Sequence, residues 1–349
     1  MTFTIETIYH TDRYHQEKVD ALLQKEGIRR DNNLEYTCGV YNEDGALIGT
    51  GSCYKNTLRC LAVDSDYRGM AIMNLIVQQL NQHLLEQGYS HLYVYTKYDC
   101  RRLFQDLGFY PIAFIEGSVA FLENRKNGFL NYLEQIKTES PVTHKTQAAI
   151  VMNANPFTLG HLALVERACK ENDLVHLFIV SDDASLFSYA IRQQLIKEAT
   201  KVFDNIVYHE TGDYLISTKT FPSYFQKDEA SVSTSHAALD ATIFCKIAKV
   251  VGITKRYVGE EQTSQVTALY NEMLSEILPK NGIELIQIER KKTDADEIIS
   301  ASTVRQCIHD GKLAELSRFL PESTLQFLQS EDARPIIQKI VQQKDVIHH

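Results

Sequence analysis

From Ala148 onward, short apolar runs alternate with longer amphipathic ones, and this rhythm limits the architecture more than any other feature of the chain. The runs AAIVM (148–152), LVHLFIV (174–180) and NIVYHE (205–210) have strand length. Around them stand LGHLALVERACKEN (159–172), IRQQLIKEATKVF (191–203) and AALDATIFCKIAKVVG (237–252), whose apolar positions recur at helical spacing. KRYVG (255–259), TALYNEMLSEIL (267–278) and IELIQIE (283–289) continue the alternation. Strands separated by helices cannot pair as hairpins. They predict a doubly wound parallel sheet with helices on both faces, and such sheets bind ligands at the carboxyl ends of their strands.

The pattern before it is different. LEYTCGVY (34–41), the turn NEDG, ALIGTGSCY (46–54) and TLRCLAV (57–63) predict an antiparallel meander. Leu75, Ile76, Gln79, Leu80, His83 and Leu84 then recur at helical spacing up to Gly88, and HLYVYT is a further strand. A short helix through Leu103, Phe104 and Leu107 stops at Gly108, before the strand FYPIAFI. The fold class is therefore α/β, with a mixed α+β domain over 1–125 followed by a parallel-sheet domain over 147–349. Between them, 126–146 is polar, with one amphipathic stretch and a Ser140–Pro141 break, and reads as a linker.

A chain of 349 residues that is 44% hydrophobic can fill a core in each domain. Its formal net charge of -9 excludes a broad phosphate-binding surface, so neither nucleic acid nor an anionic membrane is an expected partner. The basic doublets Arg29/Arg30, Arg101/Arg102 and Lys291/Lys292 read as solvated surface. No apolar run approaches the ~18 residues of a membrane span, and the N-terminus lacks the pattern of a leader. A cytoplasmic protein is expected. The seven cysteines form no C-x-x-C pair or Cys/His cluster, which predicts reduced core thiols and no metal site.

The most informative local stretch is VMNANPFTLGHLALVERA (151–168), where the first strand of the parallel domain runs into its first helix. Backbone N–H groups and the helix dipole at such a junction favour a phosphate. Asn155–Pro156 makes the turn, Gly160 permits close backbone approach, and His161 and Thr158 offer donors from the first turn. The same residues also fit a plain helix start capped by Thr158. Far downstream, IISASTVRQCIHDGKL (298–313) sets Ser300 and Ser302 ahead of a helix carrying Arg305. A second hydroxyl-bearing helix N-terminus with a cation suits the outer phosphates of a nucleotide. No G-x-x-x-x-G-K-[ST] occurs, which excludes a P-loop.

Thr158-Leu159-Gly160-His161 and Ile299-Ser300-Ala301-Ser302-Thr303-Val304-Arg305 together resemble the nucleotidyltransferase superfamily, whose signatures are H/T-x-G-H and I-S-x-S/T-x-x-R. The resemblance implies attack on the α-phosphate of ATP with loss of pyrophosphate. His161 and Thr158 would then be catalytic, ATP would be bound by Asn155, Phe157, Gly160, Gly259, Ser300, Ser302 and Arg305, and Mg²⁺ would come bound with ATP, with no protein metal ligand assigned. Arg192, in LFSYAIRQQL, resembles an arginine of that superfamily and is a candidate phosphate or substrate contact. An ion pair on a solvated helix face is its other reading.

FPSYF (221–225), RYVGEE (256–261), VTALYNEML (266–274), IELIQIER (283–290) and ISASTVRQ (299–306), in that order, extend the likeness over essentially the whole chain, which resembles the citrate lyase ligase family. This implies ATP-dependent acetylation of the thiol arm on the citrate lyase acyl-carrier subunit, using acetate, through acetyl-AMP, with release of AMP and pyrophosphate. In the first domain, LRCLAVDSDYRGMAIMNLIVQQL followed by LFQDLGFY resembles the acetyltransferase fold that binds coenzyme A. Arg68 matches that pattern, Ala71 and Met73 depart from it, and Phe104 stands where a tyrosine acid often does. The implied role is docking of the coenzyme A-like carrier arm at Arg68 and Gly69; a degenerate domain kept for stability is the alternative. Two further functions stay open on sequence: an adenylyltransferase of the phosphopantetheine or nicotinamide mononucleotide kind, and a non-catalytic sensor of nucleotide and coenzyme A.

Overall fold

The computed structural model describes residues 2–31, 33–141, 146–217, 234–260, 264–343 and 346, and the chain falls into two units, Met1–Gly128 and Phe129–His349. The FPSYF segment and Glu261 lie outside the described residues.

In the first unit, β1 (Thr4–Thr7) and α1 (Arg13–Lys25) precede the meander β2 (Tyr36–Tyr41), β3 (Leu47–Tyr54) and β4 (Thr57–Val63). Then come α2 (Ile72–Glu86), β5 (Tyr93–Lys97), α3 (Arg101–Asp106), β6 (Tyr110–Ile115) and β7 (Val119–Glu123). One seven-stranded sheet results, in the order β1-β2-β3-β4-β5-β7-β6. The meander is antiparallel, as its turns predict. Helix α2 makes the crossover to β5, which is parallel to β4. Its buried stripe, Ile72, Ile76, Leu80 and Leu84, packs on Val40, Ile48, Leu58 and Val94. Gly51 allows that helix to come close, since a Cβ there would overlap Ile76. Phe104 is buried and packs edge-on against Phe109.

The second unit contains β8 (Gln147–Met152), reached through α4 (Gly128–Glu139), with Phe129 and Ile136 buried. The stretch read as a linker is thus largely a packed helix, and the division falls near its start. The series continues with α5 (Leu159–Glu171), β9 (Leu174–Ile179), α6 (Tyr189–Thr200), β10 (Ile206–Glu210), α7 (Thr234–Val251), β11 (Lys255–Gly259), α8 (Gln265–Lys280) and β12 (Glu284–Ile288). Helices α9 (Ala301–His309), α10 (Glu322–Gln329) and α11 (Arg334–Gln342) follow.

The five strands are all parallel, in the order β10-β9-β8-β11-β12. Alternation along each strand sends Ile150, Leu177 and Tyr257 to one face, where Val165 of α5 and Leu195 of α6 cover them. Phe178 points the other way, onto Phe244 of α7. Helices on both faces make the sheet doubly wound. Connections leave β8 for β9 on one side and reach β11 on the other, so the crevice for a ligand opens between the carboxyl ends of β8 and β11.

Helices α9 to α11 build a satellite core from Val304, Ile308, Phe319, Ile336 and Ile340. That core braces the β8–α5 turn: Leu159 N–H donates to Phe319 C=O at 2.9 Å, and Thr324 Oγ1 donates to Phe157 C=O at 3.0 Å. All seven cysteines are free, and burial pushes Cys38 and Cys53 up to about 12. Among the described residues no helix is long and apolar enough to cross a membrane.

Two buried histidines tie the sheet to α4. His176 Nε2 lies 2.8 Å from Gln147 Oε1, its Nδ1 3.0 Å from His209 Nε2, and His209 Nδ1 2.9 Å from Glu139 Oε2, and two neutral rings supply the proton for two of these three contacts. Burial pushes His176 down to about 3 and holds His209 below its ordinary 6.5, with Glu139 opposing the effect on His209. As pH falls below 6.5 the unfolded chain therefore takes up protons that the folded chain refuses, so stability drops. Urea unfolding should show a lower midpoint at about pH 5 than at about pH 7.5, a window above most carboxylate titration. A midpoint that does not move contradicts the buried neutral pair.

Candidate active site

The crevice is built from two helix starts. At the first, Thr158 has extended backbone (φ -121°, ψ 170°) and caps α5, its Oγ1 accepting from His161 N–H at 3.4 Å. His161 reaches back, its Nδ1 accepting from Thr158 N–H at 3.1 Å. This is a capping box with histidine in the place usually held by Glu or Gln. The box also sets the tautomer: with Nδ1 accepting, the neutral ring carries its proton on Nε2. Burial, and then the charge of Arg290, push His161 down to about 4. At neutral pH the site thus holds an uncharged N–H donor.

At the second, Ser300 caps α9 by accepting from Thr303 N–H at 3.0 Å, and its Oγ lies 3.1 Å from Ser302 Oγ. The two starts touch through Gly160. A Cβ built there would sit 2.9 Å from Ile299 C=O, closer than real contacts allow, and the obstacle is backbone. Gly160→Ala should therefore push the two apart, lowering activity by about tenfold or more, toward the ~100-fold that a 1 Å misplacement can cost. Steady-state kinetics on a variant with native circular dichroism checks this; full activity would show that the contact does not matter.

Between the starts lies a cavity of about 360 Å³ at the carboxyl edge of the sheet. Thr158, Gly160 and His161 line it from one side, Ser300, Ser302 and Arg305 from the other, and Asn155 and Gly259 at the strand ends. A Cβ at Gly259 would meet nothing within 4 Å, so the open face beside it is space that a ligand can use. Arg256, Arg290 and Lys291 also face the cavity.

The second unit matches the model of the citrate lyase ligase C-terminal domain over residues 147–328, and the first matches the acetyltransferase (GNAT) family over residues 1–109. Full-length relatives agree. The citrate (pro-3S)-lyase ligase of Haemophilus influenzae is 36% identical over 322 residues, which is 89% of this chain and 94% of that one. The ligases of that name from Klebsiella pneumoniae and Escherichia coli are 33% and 31% identical, over 91% and 90% of this chain and 93% and 90% of their own. The chain belongs to the citrate lyase ligase family.

Within this citrate lyase ligase fold, several expected contacts need correction. Phe157 is fully buried and does not line the cavity; its ring stacks on His161, with centroids 5.6 Å apart, and so acts on the imidazole's position. Arg192 is not among the residues lining the cavity, nor does it sit on a solvated helix face. It is completely buried, and its guanidinium donates to the carbonyls of Phe187, Asn153, Val180 and Asp182, holding together the loops after β8 and β9. Arg305 does line the cavity, but its Nε donates to Val346 C=O and its Nη1 to Asn155 C=O, both at 2.6 Å. It joins α9 to the β8–α5 turn while adding positive charge beneath the site.

Lys291 and Lys292 are exposed, as expected, and Lys291 also lines the cavity. Arg256 and Arg290 were missed on sequence, yet each had a signal. Arg256 interrupts an apolar buried strand, and Arg290 lies two residues beyond the carboxyl end of β12. In the first unit Arg68 is exposed and paired with Glu26. Gly69 (φ +83°) and Ala71 (φ 58°) are left-handed, and α2 begins there without a side-chain cap.

Proposed function

We propose that this ligase adenylates acetate with ATP and passes the acetyl group to the thiol arm of the citrate lyase acyl-carrier subunit. The observation that carries the reading is the meeting of two hydroxyl-bearing helix starts, with a neutral histidine, on one cavity at the carboxyl edge of a parallel sheet. Helix N-termini present N–H groups and positive dipole ends, which suit phosphates.

In this reading an acetate oxygen attacks the α-phosphorus, its bond to the β-bridging oxygen breaks, and pyrophosphate leaves with Mg²⁺, which arrives with ATP as part of the substrate. His161 Nε2–H and the start of α5 stabilise charge on the α-phosphoryl oxygens, and Ser300, Ser302 and the field of Arg305 hold the departing phosphates. The thiol then attacks the acetyl carbonyl; the thioester forms, AMP leaves, and the thiol proton goes to solvent. Adenylation is needed because a carboxylate oxygen is a poor leaving group. The cations around the cavity offset repulsion between acetate and the polyphosphate. The reaction belongs in the cytoplasm, and neither nucleic acid nor membrane takes part.

The first unit docks the carrier's phosphate-bearing arm at Arg68, Gly69 and the uncapped start of α2. Arg68→Glu, which sets a second carboxylate beside Glu26, should weaken carrier binding measured by calorimetry. Unchanged affinity in a folded variant removes that role.

The test of the whole reading is exchange of labelled pyrophosphate into ATP, expected only with acetate. Exchange driven instead by phosphopantetheine or nicotinamide mononucleotide would make the protein an adenylyltransferase, and none with any acceptor would make it a sensor.

A further inference from the structure

We infer that Arg256 is the anchor for the carboxylate of the acid that this enzyme activates. The inference rests on the adenylation reading and names the residue that selects the acid. Arg256 stands on β11, 1% exposed, and faces the same cavity as Thr158 and His161. Its Nη2 donates to Tyr270 Oη at 3.0 Å. Its Nε and Nη1, also buried, have no hydrogen-bond partner among the described residues. A buried guanidinium with unmatched N–H groups is costly unless an anion arrives to meet it. Its link to an acid within the protein is indirect: Tyr270 donates to Asp240 Oδ2 at 2.6 Å, and Asp240 Oδ1 takes Ile216 N–H at 2.7 Å. The ring of Phe244, 4.1 Å from the guanidinium carbon, fixes the plane.

The surroundings choose the class of anion. Val258, two residues along the same strand face, lines the cavity with Ile216 and Val266, giving a cation an apolar wall. A short aliphatic carboxylate matches both parts: the charge meets Nε or Nη1 and the alkyl group meets the valines and isoleucine. Ser264, Thr267 and Asn271 line the cavity as well, so what favours a carboxylate over a phosphate is the alkyl group, which gives that apolar wall a partner. The hydroxyls at the starts of α5 and α9 are left for the phosphates of ATP. Held this way, one carboxylate oxygen accepts from Arg256 and the other keeps the electron pair that forms the bond to the α-phosphorus, with no proton transferred.

Arg256→Gln and Arg256→Lys in the full chain test this, with two readouts: KM and kcat for acetate in pyrophosphate exchange, and ATP affinity measured by equilibrium binding without acetate. Arg256→Gln should raise the acetate KM by about 30-fold or more, the range for breaking a buried charge pair, and leave ATP affinity unchanged. Arg256→Lys, which keeps the charge, should show a smaller rise and decides the matter if the Gln variant does not fold. An unchanged acetate KM overturns the inference, as does ATP affinity falling in step with acetate in a folded variant. Wild-type protein without acetate-dependent exchange would instead refute the adenylation reading itself. The two failures are therefore distinct.

Discussion

Replacing His161 with alanine is expected to slow acetate-dependent pyrophosphate exchange by about 10²- to 10³-fold, the usual cost of losing one donor aimed at developing charge. The geometry makes the effect separable from folding. His161 does two things: Nδ1 closes the capping box with Thr158, and Nε2–H remains for the cavity. Alanine removes both, at about 1 kcal/mol for the cap. His161→Gln keeps a side chain that serves capping boxes well, so it should recover stability and not activity. Kinetics and thermal melts of both variants check this. Near-normal exchange in His161→Ala would mean that the imidazole does not face the reacting phosphate.

The second large effect is on stability. Arg192→Met should destabilise the second unit by about 3–5 kcal/mol, because it leaves buried carbonyls without their donor. Those carbonyls, from Asn153, Val180, Asp182 and Phe187, belong to the loops after β8 and β9 and the start of α6. A loss of that size is a large part of the ~5–15 kcal/mol that keeps a domain folded. Denaturant unfolding measures it directly. A shift below about 1 kcal/mol, the value of a single ordinary hydrogen bond, would contradict the clamp.

Arg192 also shows where sequence reasoning stops. Its neighbours, a Phe-Ser turn and a helix, were legible, and so was the helix itself. The direction of the side chain was not, because whether a helix-borne arginine faces solvent, ligand or loop carbonyls depends on how the helix rotates against the sheet. Phe157 was misread for a related reason: lying next to the motif in sequence places it beneath His161, in the core. By contrast, the alternation of apolar strands and amphipathic helices fixed the doubly wound sheet, since period and length are local properties.

The pairing of Thr158 and His161 with Ser300 and Ser302 was legible only as two motifs, and Gly160 against Ile299 is the physical contact that joins them. Elements with faint periodicity escaped: α1 buries only Val19, Leu22 and Leu23 in thirteen residues, and β1 is four residues long with little burial. Arg256 was hidden by its setting. A charge within an apolar strand states that something must satisfy it, but only the packed sheet shows two of its nitrogens without a hydrogen-bond partner among the described residues.

The central claim is that a carboxylate oxygen of acetate bonds to the α-phosphorus. The most direct measurement supplies acetate labelled with heavy oxygen in both carboxylate positions, together with ATP and the carrier thiol, and weighs the AMP produced. Adenylation transfers an acetate oxygen to the phosphorus, so AMP should carry a single heavy oxygen per turnover and pyrophosphate none. AMP without label, or label in pyrophosphate or free phosphate, would contradict the account.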